Sequence, residues 1–201
     1  MSSMRLLHLC IALLLSSAAV LNPTRAAAAP SIVVSVPDQT LALIDHGSVI
    51  ARFPVSTSKF GVGDHPGSYA TPLGSLEIAS KIGANAPLGT VFKSRRPTGE
   101  ILPPNARGRD PIVTRILWLR GLENGNARAY SRAIYIHGTP VEKLIGRPAS
   151  YGCIRMRSRD VAQLFGAVNV GTKIAVLNAH LGRALAQLAL SNPQLPRLAT
   201  N

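Results

Sequence analysis

The chain has 201 residues, 46% of them hydrophobic, and a formal net charge of +13. Such a charge favours anionic partners: nucleic acid, lipid head groups or cell-wall polymers. Only 4% of residues are aromatic, which argues against base-stacking sites, so nucleic acid is not an expected partner.

The N-terminus has the three parts of a secretory signal. Arg5 gives the positive start, Leu6 to Leu21 is apolar, and Ala26 to Ala29 supplies small residues. This predicts export, with cleavage near Ala27–Ala29 and residues 1–29 as the signal. The apolar run is short for a membrane span of roughly 20 residues, and no other stretch could cross a bilayer. Loss of Arg5 and Arg25 would lower the charge to +11. About 170 residues remain, enough for one domain with a real core.

Ile32 to Val36 reads as a strand. Thr40 to Ile44 and Val49 to Val55 flank Asp45-His46-Gly47-Ser48, a hairpin turn. Gly61 to Gly74 reads as a loop backing onto a site, and Ser75 to Ile82 as another strand. Pro87 to Pro111 holds five prolines and four arginines, and its irregularity suggests a functional insertion or lid. Ile112 to Leu119 and Ala133 to Ile136 are partly β-branched, hence strands. Asp160 to Val168 reads as a short helix, with an acidic residue in its first turn, where the helix dipole favours it. Lys173 to Leu177 closes the β-rich body, and Asn178 to Leu190 is an alanine-rich terminal helix. The expectation is a mainly β, sandwich- or barrel-like domain over 31–177, followed by a C-terminal helix and tail over 178–201.

The chemistry centres on cysteine. Only Cys10 and Cys153 are present, and Cys10 lies in the expected signal. Cys153 is then the sole thiol of the mature chain, in a compartment where cysteines usually pair. A lone exported thiol with a histidine upstream reads as a nucleophile and its base. His137 follows an apolar strand and precedes Gly138, so it is placed at a strand end. A nearby imidazolium would lower the thiol pKa and hold a thiolate–imidazolium pair. Gly152 leaves room for a substrate carbonyl, with amides facing a developing oxyanion. Arg155 shares a face with Cys153 on an extended segment, and its fork suits a substrate carboxylate. The alternative for Arg155 is a solvated surface position. His46, His65, His137 and His180 show no metal-ligand spacing, and no cofactor motif appears.

Ile136-His137-Gly138-Thr139, followed by Ser150-Tyr151-Gly152-Cys153-Ile154-Arg155-Met156, resembles the catalytic motif of YkuD-type L,D-transpeptidases. Val55-Ser56-Thr57-Ser58 and Thr71-Pro72-Leu73-Gly74 are similar to earlier loops of that family, and the resemblance runs roughly from Ser31 to Leu177. It implies a β-rich domain in the bacterial periplasm or cell envelope, active in cell-wall biogenesis and needing no cofactor. Cys153 would attack the carbonyl of the third residue of a peptidoglycan stem peptide and expel the terminal D-alanine. An acceptor amine, from a second stem peptide or a wall-attached protein, would resolve the thioester. His137 would carry the proton, and the Gly138 carbonyl would orient its ring. Ser150 and Tyr151 would line the substrate pocket. Tyr151 stands where the family has histidine, and a phenol is not a base near neutral pH. If that histidine only shapes the pocket, activity survives the exchange; if it helps activate the thiol, this chain is slower or differently specific. Two other functions fit the same residues: an L,D-carboxypeptidase-type hydrolase, with water replacing the amine, and a non-catalytic basic wall-binding module.

Overall fold

β1 (Ser31–Ser35) and β2 (Thr40–Asp45) are runs of valine, leucine and isoleucine. They are buried along most of their length, so both faces are covered and no polar alternation survives. β3 (Ser48–Pro54) alternates as a one-sided strand does. It joins β2 through His46 and Gly47, whose φ values of 48° and 78° match the primed turn that suits strand twist. These elements belong to a computed structural model that describes residues 30–191. The expected signal, 1–29, and the tail beyond 191 lie outside the described residues.

β4 (Gly74–Ile82), β5 (Thr90–Lys93), β6 (Arg96–Ile101), β7 (Ile112–Gly121), β8 (Tyr135–Gly138), β9 (Ile154–Met156) and β10 (Lys173–Leu177) complete one mixed ten-stranded sheet. The protein is mainly β, with two helices. Hydrogen bonding runs β3-β2-β1-β10-β4-β7, and then through β8 to β9. Just beyond β3, Ser56 and Arg155 exchange N–H···O bonds of 2.9 Å in both directions. That bridge joins the two ends of the path, so the strands form a ring. Inside it, Leu41, Phe53, Leu76, Leu117, Ile136 and Ile154 share one buried cluster. Each such side chain contributes roughly 1.5–3 kcal/mol by leaving water.

The expected irregular insertion at Pro87 to Pro111 is largely a hairpin. β5 pairs with β6 and also docks on β7. Its turn residues, Ser94 and Arg95, have φ of 49° and 65°, a primed turn made without glycine. β8 takes one edge of β7, and β4 and β5 share the other: Val113 pairs with Gly138 on one side and Val91 on the other, Ile116 with His137 and Ile82. The β7–β8 register breaks between Val113 and Ile116. Thr114 takes up the break at φ 71°, costly for a β-branched residue. Its hydroxyl accepts from the Gly89 N–H and donates to Ser158.

α1 (Ser158–Ala167) starts two residues earlier than expected, because the Glu142 carboxylate accepts from the Ser158 N–H at 2.8 Å. α2 (Leu181–Ser191) is capped by Asp38, which accepts from the Leu181 N–H at 2.6 Å. It packs Leu181, Ala184 and Leu185 on Val33, Ala42 and Ile44. No described helix is long and apolar enough to cross a membrane.

Candidate active site

β8 and β9 run parallel, with Ile136 opposite Ile154, His137 opposite Arg155 and Gly138 opposite Met156. Side chains alternate across a sheet. Ile136, Ile154 and Met156 enter the inner core. Tyr135, His137, Cys153 and Arg155 therefore share the outer face. Cys153, the residue before β9, lies diagonally from His137 on that face. The expected common face of Cys153 and Arg155 is present.

His137 is the last residue but one of β8, near the strand end as expected, but is only 5% exposed. The strand continues because Thr139 N–H reaches the Met156 carbonyl at 3.1 Å. A side chain at Gly138 would press on the Val113 carbonyl at 2.7 Å, so glycine is required there. His137 Nδ1 lies 2.8 Å from the Gly138 carbonyl oxygen. A carbonyl only accepts, so Nδ1 carries the hydrogen and Nε2 keeps its lone pair. Burial lowers the His137 pKa to about 4, opposed by the Gly138 carbonyl. Arg155 lowers it further, and Asp110 raises it.

Cys153 is a half-buried free thiol. It donates to the Ala133 carbonyl at 3.5 Å, so its one proton is not aimed at the imidazole. Burial pushes its pKa up to about 11, against the lowering effect of the Tyr135 N–H, Arg155 and Arg132. Both shifts run against the expected thiolate–imidazolium pair and favour the neutral form of each partner, because each has lost solvent.

The turn before the thiol is fixed from several sides. Gly152 has φ 116°, and a Cβ there would meet Ile134 at 3.1 Å and the Ala70 carbonyl at 3.2 Å. Its carbonyl accepts from Thr71 at 3.0 Å, and its N–H leans on the Ser150 hydroxyl at 3.3 Å. That bond is long for an N–H donor, so the Gly152 amide is weakly held. Ser150 is buried, and its hydroxyl donates to the Cys153 carbonyl at 2.6 Å. It shapes the turn and does not line a pocket, contrary to expectation. Arg132 binds the Gly63 and Ala70 carbonyls and the buried Asp64 carboxylate, which pins the 61–70 loop against this turn.

Arg155 is 4% exposed, so it is not a solvated surface group. Its fork is not open to a substrate carboxylate either. Nη1 is paired with Asp110, which also accepts from Thr139, and Nη2 lies 3.4 Å from the Ser56 hydroxyl. Nε is buried without a partner. Tyr151 points outward, 61% exposed. Asp110 and Arg132 escaped the sequence reading because they lie 43 and 21 positions from Cys153 and carry no motif of their own, whereas Thr71 and Thr139 stood in the quoted segments without a role.

An apolar cleft of about 560 Å³ opens under the β5–β6 hairpin, lined by Ile82, Ala86, Pro87, Phe92, Pro97 and Ile101 among others. Phe92, Ile82 and Ala86 also belong to the cluster that touches Cys153, so cleft and thiol share a wall. Among the described residues no cluster of histidine, cysteine and carboxylates could hold a metal ion.

The family model described as the L,D-transpeptidase catalytic domain (YkuD) matches residues 29–176. The putative L,D-transpeptidase YkuD of Bacillus licheniformis is 38% identical over 79 residues, 39% of this chain and 48% of that protein. The probable L,D-transpeptidase YcfS of Escherichia coli is 42% identical over 53 residues, 26% of this chain and 17% of that protein. The chain thus spans less than half the length of these curated relatives. The L,D-transpeptidase structure from Xylanimonas cellulosilytica superposes with a TM-score of 0.50 at 16% identity, over 76% of this chain and 62% of that one. That likeness is one of fold.

Proposed function

We infer the function from one premise: the chain belongs to the L,D-transpeptidase catalytic domain family. It is proposed to act in the periplasm or cell envelope after export, on peptidoglycan stem peptides. Cys153 is the nucleophile and His137 the base. The observation that carries this reading is the shared outer face of β8 and β9, with the imidazole held by Gly138 so that Nε2 stays free.

Donor binding displaces solvent and draws the thiol from Ala133 towards Nε2. The sulfur attacks the donor carbonyl as its proton passes to His137. The tetrahedral adduct collapses, the C–N bond breaks, and the imidazolium returns its proton to the departing D-alanine amine. A thioester remains. The acceptor amine then attacks it, giving its proton to Nε2, and C–S cleavage restores the thiol with that proton. Arg155, paired with Asp110, holds the face rigid and keeps positive charge near the developing thiolate.

Mass spectrometry of muropeptides after incubation tests the reading. The wild-type chain should form cross-linked products and a thioester adduct, and Cys153→Ala neither. Shortened stem peptides without cross-links would instead assign the water-consuming hydrolase. Intact substrate in both samples would sink the enzymatic reading.

A further inference from the structure

On the rim beside the thiol, Phe60, Tyr69 and Tyr151 are 49%, 56% and 61% exposed. Their ring centroids lie 5.3 to 5.9 Å apart, so each ring touches the other two. Folding gains little from three aromatic rings grouped in water, and such patches mark interaction sites.

The group is held in place by polar contacts. Lys59 Nζ donates to the Tyr151 hydroxyl at 3.0 Å and sits 4.4 Å from that ring's centroid and 5.2 Å from that of Phe60. Tyr69 takes φ 52°, and its carbonyl accepts from Ser58 at 2.5 Å. The next carbonyl, Ala70, accepts from Arg132 at 2.8 Å, and Arg132 is locked in its buried pair with Asp64.

Charge narrows the occupant. Aromatic faces are electron-rich, and here one ammonium already occupies them. A second cation would meet repulsion from Lys59, so an amine-bearing side chain is a poor ligand. A neutral ring with polarised C–H bonds on its faces and hydroxyls at its edge fits better: the C–H bonds meet the rings, and the edge meets the two phenols and Lys59. A pyranose has that form. Tyr151 stands two positions before Cys153, and Gly152 between them packs on the Tyr69–Ala70 backbone. A molecule with its peptide at the thiol has these rings beside it.

We propose that Phe60, Tyr69 and Tyr151, with Lys59, form a sugar-stacking platform for the glycan strand that carries the donor stem peptide. The identity of that glycan rests on the proposed action on peptidoglycan. The test is titration of the full chain with a peptide-free N-acetylglucosamine tetramer, followed by NMR. The wild type should bind it weakly. Phe60→Ala should bind roughly tenfold more weakly, and so should Phe60→Leu, which keeps apolar bulk but lacks a ring face. Matching thermal melts exclude unfolding. A parallel assay compares a disaccharide-linked tetrapeptide with the free tetrapeptide as donors. The ratio of their kcat/KM values should fall in both variants. No wild-type sugar binding, or equal losses with both donors, would overturn the platform, and equal losses would assign the rings to the peptide. Sugar binding without turnover would keep the platform and sink the transpeptidase reading; turnover without sugar binding would do the reverse.

Discussion

Arg155 stands directly across the parallel β8–β9 ladder from His137. The same residue closes the strand ring through its backbone bonds to Ser56. The seam of the fold and the face that carries the proposed nucleophile and base are thus one segment. A guanidinium opposite an imidazole also has a chemical effect: it adds to burial in keeping His137 neutral.

The acid limb of the reaction follows from this. A base with a pKa of about 4 keeps its lone pair throughout the neutral range. Thioester formation with a donor stem tetrapeptide, measured as kcat/KM, should be flat from about pH 8 to pH 5 and fall as pH approaches 4. A limb centred near the ordinary histidine value of about 6.5 would show that His137 is solvated in the working enzyme.

Stability carries the same signature. The folded pKa of His137 lies below the unfolded value, so the unfolded chain binds the proton first as pH falls. The stability present above about pH 6.5 should therefore decline between there and about 4, by a total on the order of 3 kcal/mol. His137→Asn should remove that component of the slope. Urea unfolding of both chains across this range gives the comparison, and parallel curves would refute the buried neutral state.

Much of this was legible in residue order. The apolar runs gave most of the ring, and the i, i+2 spacing of Cys153 and Arg155 gave their common face. The protonation states were not legible, since they come from burial that only the assembled face creates. Nor was the partner of Arg155: Asp110 lies 45 positions away, at the end of a segment whose prolines masked the β5–β6 hairpin. β9 was hidden by its length of three residues. It is a strand because β8 and Ser56 supply its hydrogen bonds from either side.

Cys153 should resist small electrophiles. With its pKa at about 11, little thiolate exists at neutral pH. Iodoacetamide labelling should be slower than for a free cysteine at pH 7 and rise about tenfold per pH unit towards 11. A plateau beginning below pH 8 would restore the thiolate–imidazolium pair.

Asp110 is expected to act through Arg155. Asp110→Ala strips the partner from a buried guanidinium and should destabilise the chain by about 1–3 kcal/mol, discounted for the partial exposure of the carboxylate. Asp110→Asn keeps the shape and leaves the Arg155 charge uncompensated. That charge lowers the thiol pKa, so labelling of Cys153 should be faster in Asp110→Asn than in wild type at the same pH. Unchanged labelling would reduce Asp110 to a packing role.

Gly152 and Gly146 separate backbone strain from collision. Both have positive φ, 116° and 95°, but an added methyl at Gly146 meets nothing within 4 Å. Gly146→Ala should cost only the strained conformation, about 1 kcal/mol. Gly152→Ala adds contacts with Ile134 and the Ala70 carbonyl. The side chain can yield, but the carbonyl is held by Arg132, so the turn must move, and the thiol with it. The expected loss is about 2–3 kcal/mol of stability and a roughly tenfold or greater drop in the rate of acylation by a donor stem tetrapeptide. Melting curves and acylation rates of the two variants decide the matter: equal behaviour would show that the turn beside Cys153 tolerates displacement, and that its fixed position does not set the rate.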